Sequence, residues 1–83
     1  MIFREQIRAA RALLGWSQHD LAKATNLGIA TIQRIEGAKG RMAGAANSLW
    51  KIERALEEAG VIFLPGNDSG GVGVRLRKEM RAV

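Results

Sequence analysis

Ile29, Ala30, Gln33 and Arg34 share one arc of a helix turning at about 100° per residue, and Thr31, Ile32 and Ile35 occupy the other side. A face that only meets water is usually rich in Glu and Lys, and this one is not. Gln pairs bidentately with adenine, Arg with guanine, and small apolar groups meet the thymine methyl. The arc therefore predicts a helix that reads base edges, with Gln18 near it as a further base-facing candidate. Other chemistry finds little support. His19 is the single histidine, no elbow motif surrounds Ser17 or Ser48, and adjacent His19 and Asp20 point in different directions on a helix. Gly70-Gly71-Val72-Gly73 precedes no helix able to hold a pyrophosphate, and the chain has no Cys. No enzyme, metal or cofactor is expected.

Two short helices joined by a tight turn must position that arc. Ser17 caps the first, with Asp20 three residues on completing a near capping box, and Trp16 and Leu21 stand at staple distance. Asn26 sits where the turn needs a left-handed residue. Gly28 starts the second helix, Leu27 and Ile32 form another staple, and Gly37 reads as the C′ residue that stops it. A first helix is expected over Phe3 to Leu14, with Phe3, Ile7, Ala10 and Leu14 on its apolar face and Gly15 ending it. A fourth starts between Gly44 and Ser48, carries Leu49, Ile52, Leu56 and Ala59 inward, and ends at Gly60. Trp50 flanks that stripe as a core or interface lid.

The spacing Ser17-Gln18, Leu21-Ala22, Asn26-Leu27, Thr31-Ile32 and Arg34-Ile35-Glu36-Gly37, with Lys39 after it, resembles the phage-repressor and Cro-like helix-turn-helix family, the XRE group of bacterial regulators. The likeness runs without gaps from Ile7 to Leu56. Asn26 replaces the usual turn glycine, and Gly28 replaces a Ser or Thr cap, which removes a hydroxyl contact to phosphate. The resemblance implies a mainly α fold of four or five helices whose second motif helix enters the major groove of double-stranded DNA. It lays the Gly-rich loop with Lys39 and Arg41 along the phosphate backbone. It also pairs Arg11 with Glu36. That pair reads first as a surface ion pair contributing about 0–1 kcal/mol, and otherwise as a brace that also offers Arg11 to a phosphate. Thr31 is a phosphate candidate or a residue packed near the turn.

Bulk properties agree. The 83 residues make one small unit that buries only roughly 60–65% of its unfolded surface, too little for a core plus a deep catalytic pocket. Of 13 basic and 8 acidic residues, the helix-turn-helix half and the tail hold the positive excess. The opening MIFREQ has neither a signal-peptide nor a membrane pattern, so a cytoplasmic, nucleoid-associated bacterial protein is expected.

Beyond residue 60 the period changes. Val61-Ile62-Phe63-Leu64 is β-prone, residues 65–70 have turn composition, and Gly71 to Arg77 alternates with Val72, Val74 and Leu76 on one face. A hairpin follows, and similar tails occur on a subset of small regulators of this family. The expected division is a DNA-binding domain over 1–60 and a hairpin extension over 61–83 that supplies the dimer contact through Val61, Ile62, Phe63, Leu64, Val72, Val74 and Leu76. The function expected is a sequence-specific regulator, a repressor or autoregulator acting as a homodimer. A protein-interaction module, an antitoxin or adaptor on the same fold, is the other reading.

Overall fold

The computed structural model describes residues 2–37 and 46–80. Four helices, α1 (Arg4–Leu14), α2 (Gln18–Thr25), α3 (Ile29–Gly37) and α4 (Ala46–Glu58), precede an antiparallel hairpin of β1 (Val61–Leu64) and β2 (Gly73–Leu76), and a 3-10 turn follows at Lys78–Met80. The mainly helical fold with a C-terminal hairpin is the one the sequence predicts.

Local chemistry sets the breaks. Gly15 adopts φ 70° after α1, where a residue with a Cβ would be strained. At α2 the capping box is complete: the Asp20 amide donates to Ser17 Oγ at 3.0 Å, and the Ser17 amide donates to Asp20 Oδ2 at 2.9 Å. Asn26 ends α2 at φ 59°, ψ 29°. The Gly28 carbonyl then accepts from the amides of Thr31 and Ile32, which starts α3.

One core joins the four helices and the hairpin. Ile7 of α1, Leu21 of α2, Ile32 and Ile35 of α3, and Ile52 and Leu56 of α4 are fully buried, each contributing about 1.5–3 kcal/mol of transfer free energy. Val61 of the hairpin, 2% exposed, belongs to the same cluster, and Phe63, Val74 and Leu76 pack against it. β1 lies on α4 and β2 on α1.

Five expectations change. Phe3 is the N-cap of α1 and is exposed, and Ile2 takes the buried place instead, because the chain enters in extended geometry that turns Phe3 outward. Gly37 is the last residue of α3 and not a left-handed stop. Trp50 is 58% exposed, with Arg54 stacked 5.5 Å from its ring centroid, so it is no core lid. β2 is shorter than the alternating run, since Gly71, Val72 and Arg77 lie outside the strand. The hairpin does find partners within its own chain: the register pairs Val61 with Leu76 and Phe63 with Val74, and these four face the core. Ile62 and Leu64, opposite Arg75 and Gly73, fall on the other face, and Val72 is exposed.

What fastens the hairpin is Gln6, a buried amide on α1. Its Nε2 donates to the carbonyls of Gly73 at 2.9 Å and Leu64 at 3.2 Å, while its Oε1 accepts from the Phe3 amide at 2.9 Å. At the other end of the strands the Arg77 amide donates to the Gly60 carbonyl at 2.8 Å.

Candidate nucleic-acid interface

Ile32 and Ile35 anchor α3 from behind, and Glu36 pins its C-terminal turn. The Glu36 carboxylate is 2% exposed although a charged group is costly to bury alone. Arg11 Nε donates to its Oε2 and Nη2 to its Oε1, both at 2.7 Å, and Gln18 Nε2 donates to Oε1 at 3.2 Å. Arg11 Nη1 also donates to the Trp16 carbonyl at 3.1 Å, so one guanidinium ties α1, the α1–α2 turn and α3 together. Its side chain is 18% exposed. The bond to Glu36 holds the Arg11 pKa above its ordinary value, against the opposing pull of desolvation.

The pair is thus buried and bidentate, not the surface ion pair of the first reading. The helices close over it because α1 and α3 pack directly on each other. Three of the five guanidinium N–H groups point to protein acceptors, which leaves two for any phosphate.

On the outward side of α3, Ala30, Gln33 and Arg34 are exposed at spacings that set them side by side. Ile29 is half-buried and packs on the core, so it forms the rim of this arc more than its face. Thr31 is half-buried, and Gln18 is half-buried at the start of α2 with its amide on Glu36. Lys39 and Arg41 lie outside the described residues. The nine-residue α3, about 13 Å long and 10–12 Å across with side chains, fits a major groove about 12 Å wide.

One positioning residue at the motif's turn escaped the sequence reading. Thr25 Oγ1 bonds the carbonyls of Leu21 at 2.8 Å and Ala22 at 3.2 Å and accepts from the Leu27 amide at 3.3 Å, which braces the turn between α2 and α3. A Thr directly before a left-handed Asn was the available signal. Glu36, which the resemblance paired with Arg11, lies on the buried side of α3 with Ile32 and Ile35 and makes that pair. Asp20 has its pKa lowered mainly by the hydrogen bond from the Ser17 backbone. Among the described residues no group of three or more acidic, His or Cys side chains could hold a metal ion.

A family model for helix-turn-helix proteins matches residues 7–59, from within the first turn of α1 to just past the end of α4. The chain belongs to the XRE-type helix-turn-helix family. No curated protein matches it in sequence. As a Cro- or repressor-like member it is a DNA-binding regulator whose ligand is double-stranded DNA, in a family that is typically non-enzymatic. In this XRE regulator the matched span contains every base-facing candidate, Gln18, Ile29, Ala30, Gln33 and Arg34. It also contains the phosphate candidates Arg11, Thr31, Lys39 and Arg41. Among the described residues no helix is long and apolar enough to cross a membrane.

Proposed function

We propose that this XRE regulator is a sequence-specific repressor or autoregulator that occupies a palindromic operator as a homodimer. The observation that carries the reading is the exposed Ala30–Gln33–Arg34 arc on a helix locked from behind by Ile32, Ile35 and the Arg11–Glu36 bridge. Gln33 and Arg34 supply hydrogen bonds to base edges, Ala30 an apolar contact, with Ile29 at the rim and Gln18 beside them. Thr31, Lys39, Arg41 and the two remaining N–H groups of Arg11 meet phosphates. Repression follows from occupancy, since a protein seated in the groove excludes other readers of the same sequence.

For the dimer contact the hairpin residues facing away from the core, Ile62, Leu64 and Val72, are the proposed surface. Val61, Phe63, Val74 and Leu76 support it from beneath. A two-fold contact there sets two copies of α3 about 34 Å apart, as successive half-sites on one face of DNA require. Selection of bound duplexes from a random pool tests the operator. It should return an inverted repeat, bound with an affinity that falls steeply with salt as counterions are released. Sedimentation of the Ile62→Lys/Leu64→Lys variant should give a monomer. A single unrepeated site, or a variant that still dimerises, refutes this arrangement. The exposed Trp50 favours the second reading, a protein-interaction module, and salt-insensitive or absent binding to every duplex would select it.

A further inference from the structure

We propose that the outer face of the hairpin is the docking surface for an extended acidic and apolar segment of another protein, which displaces the second copy of this chain from it. The inference rests on the homodimer reading above and adds a means of regulating that contact.

The register fixes what the face presents. Rows across it pair Leu64 with Gly73 and Ile62 with Arg75, and the Arg77 amide on the Gly60 carbonyl continues the ladder by one more row. A Cβ at Gly73 would lie 3.8 Å from Leu64 Cδ1, so the Leu64 side chain leans over the facing strand. Alternation puts Arg77 on the same side as Arg75. Toward the turn the face is therefore apolar, with the exposed Val72 next to it. Toward the base of the hairpin it is cationic, with Arg75, Arg77 and then Lys78 all exposed. Among the described residues only Arg77 of these cations has an ion-pair partner, Glu79 at 3.4 Å. Asp68 sits in the turn, at the opposite end.

These charges stand apart from the base-reading arc. Gln6, which holds the hairpin, and Arg11, which holds α3, diverge by about 140° around α1, so the hairpin and α3 lie on different flanks of that helix.

Charge selects the occupant. A two-fold contact centred on Ile62 brings the Arg75 guanidinium of each copy into one small interface, where like charges oppose docking. A segment carrying carboxylates replaces that repulsion with attraction. Nucleic acid would use the cations and leave Ile62 and Leu64 facing phosphate oxygens, so a protein segment is the better match. Side chains on one side of an extended segment recur every 6.5–7 Å or so, roughly the spacing of Leu64 from Ile62 and of Arg75 from Arg77. Apolar residues at one end and acids at the other, at alternate positions, therefore match the face row by row.

The test uses the full chain and an end-blocked synthetic peptide, Leu-Ser-Leu-Ser-Glu-Ser-Glu, followed by fluorescence anisotropy of an attached dye. The peptide should bind saturably, and Arg75→Glu should weaken it at least about tenfold while leaving thermal melting unchanged. A peptide with Lys in place of Glu should prefer the Arg75→Glu/Arg77→Glu variant. Unlabelled peptide should convert the sedimenting dimer to monomer. It should also weaken binding to a palindromic duplex and leave binding to a single half-site unchanged. Added salt should act in opposite directions, loosening the peptide and tightening the homodimer, as the screening length falls from about 10 Å at 0.1 M to about 3 Å at 1 M. Absence of peptide binding, or binding that survives Arg75→Glu, overturns the proposal. So does equal binding of a peptide with Ser in place of Leu, which would reduce the match to charge alone. Competition on the half-site duplex also overturns it, by placing the acids on α3. A chain that sediments as a monomer without peptide counts instead against the homodimer reading, and the anisotropy measurements still decide this one.

Discussion

Replacing Arg11 by Met keeps an unbranched stem of similar reach over the α1–α3 contact and removes the guanidinium. The Glu36 carboxylate, 2% exposed, would then keep only the 3.2 Å bond from Gln18 of its three side-chain donors. Breaking a buried ion pair from one side costs about 3–5 kcal/mol, because the remaining charge stays desolvated without its partner. A domain of 83 residues has a total stability of roughly 4–12 kcal/mol. One substitution therefore takes a quarter of the stability at least and unfolds a marginal protein. For a domain of this size the loss corresponds to a fall in Tm of about 12–40 °C. Thermal and urea unfolding followed by circular dichroism measure it. The double variant Arg11→Met/Glu36→Leu should regain most of the loss, since well-packed apolar pairs replace buried ion pairs at little cost. A single variant that loses less than about 1 kcal/mol would mean that Glu36 is solvated in solution, and the bracing role would be wrong.

The remaining predictions are smaller in scale. Gln33→Ala should cost about 1–3 kcal/mol at one base position and relax preference there, read from binding to a panel of single-base operator variants. A uniform loss across the panel would assign Gln33 to the backbone. Lys39→Ala and Arg41→Ala should weaken all duplexes alike and each lower the salt slope by about 1, and unchanged slopes would remove both from the phosphate set. Gln6→Ala should cost about 1–3 kcal/mol by removing the bonds of its amide to the Leu64 and Gly73 carbonyls and to the Phe3 amide, with hydrogen exchange quickening in the hairpin before the helices. Uniform exchange throughout the molecule would show that the amide does not clamp the strands.

The helix-turn-helix was legible because its signals are local. Ser17 and Asp20 cap a helix whose first turn lies between them, and Asn26 ends that helix with its own left-handed φ. Gly15 likewise ends α1 by what it lacks, a Cβ, whatever packs nearby. The hairpin could be read from a change of period, and its inward face could not, because alternation alone does not say which of two faces meets the helices. Phe3 and Ile2 exchanged roles for a related reason: periodicity ranks apolar residues and is silent on the angle at which the chain enters. Gln6 was the larger omission. A polar residue on an apolar face acquires meaning only from its partners, and those of Gln6 lie 58 and 67 residues away, whereas Glu36 was legible only through the family resemblance that pairs it with Arg11. The outer arc of α3 was the converse case, where exposure followed directly from which neighbours were buried.

The Gln6 amide ties the first helix to residues made much later. At 5–20 residues per second, roughly 3–13 s separate the synthesis of Gln6 from that of Gly73, its partner 67 positions on. Throughout that interval α1 has no strand to close against, Val61 is absent from the core for nearly as long, and the amide is satisfied by water. The helices lie closer to one another in sequence than α1 lies to β2, so they have the lower closure entropy and assemble first. A chain released without β2 would therefore carry its helices on a molecule whose core is still open beside α1. Such a chain would be a ready substrate for proteases, and completion of the last strand is what makes the regulator durable as well as folded.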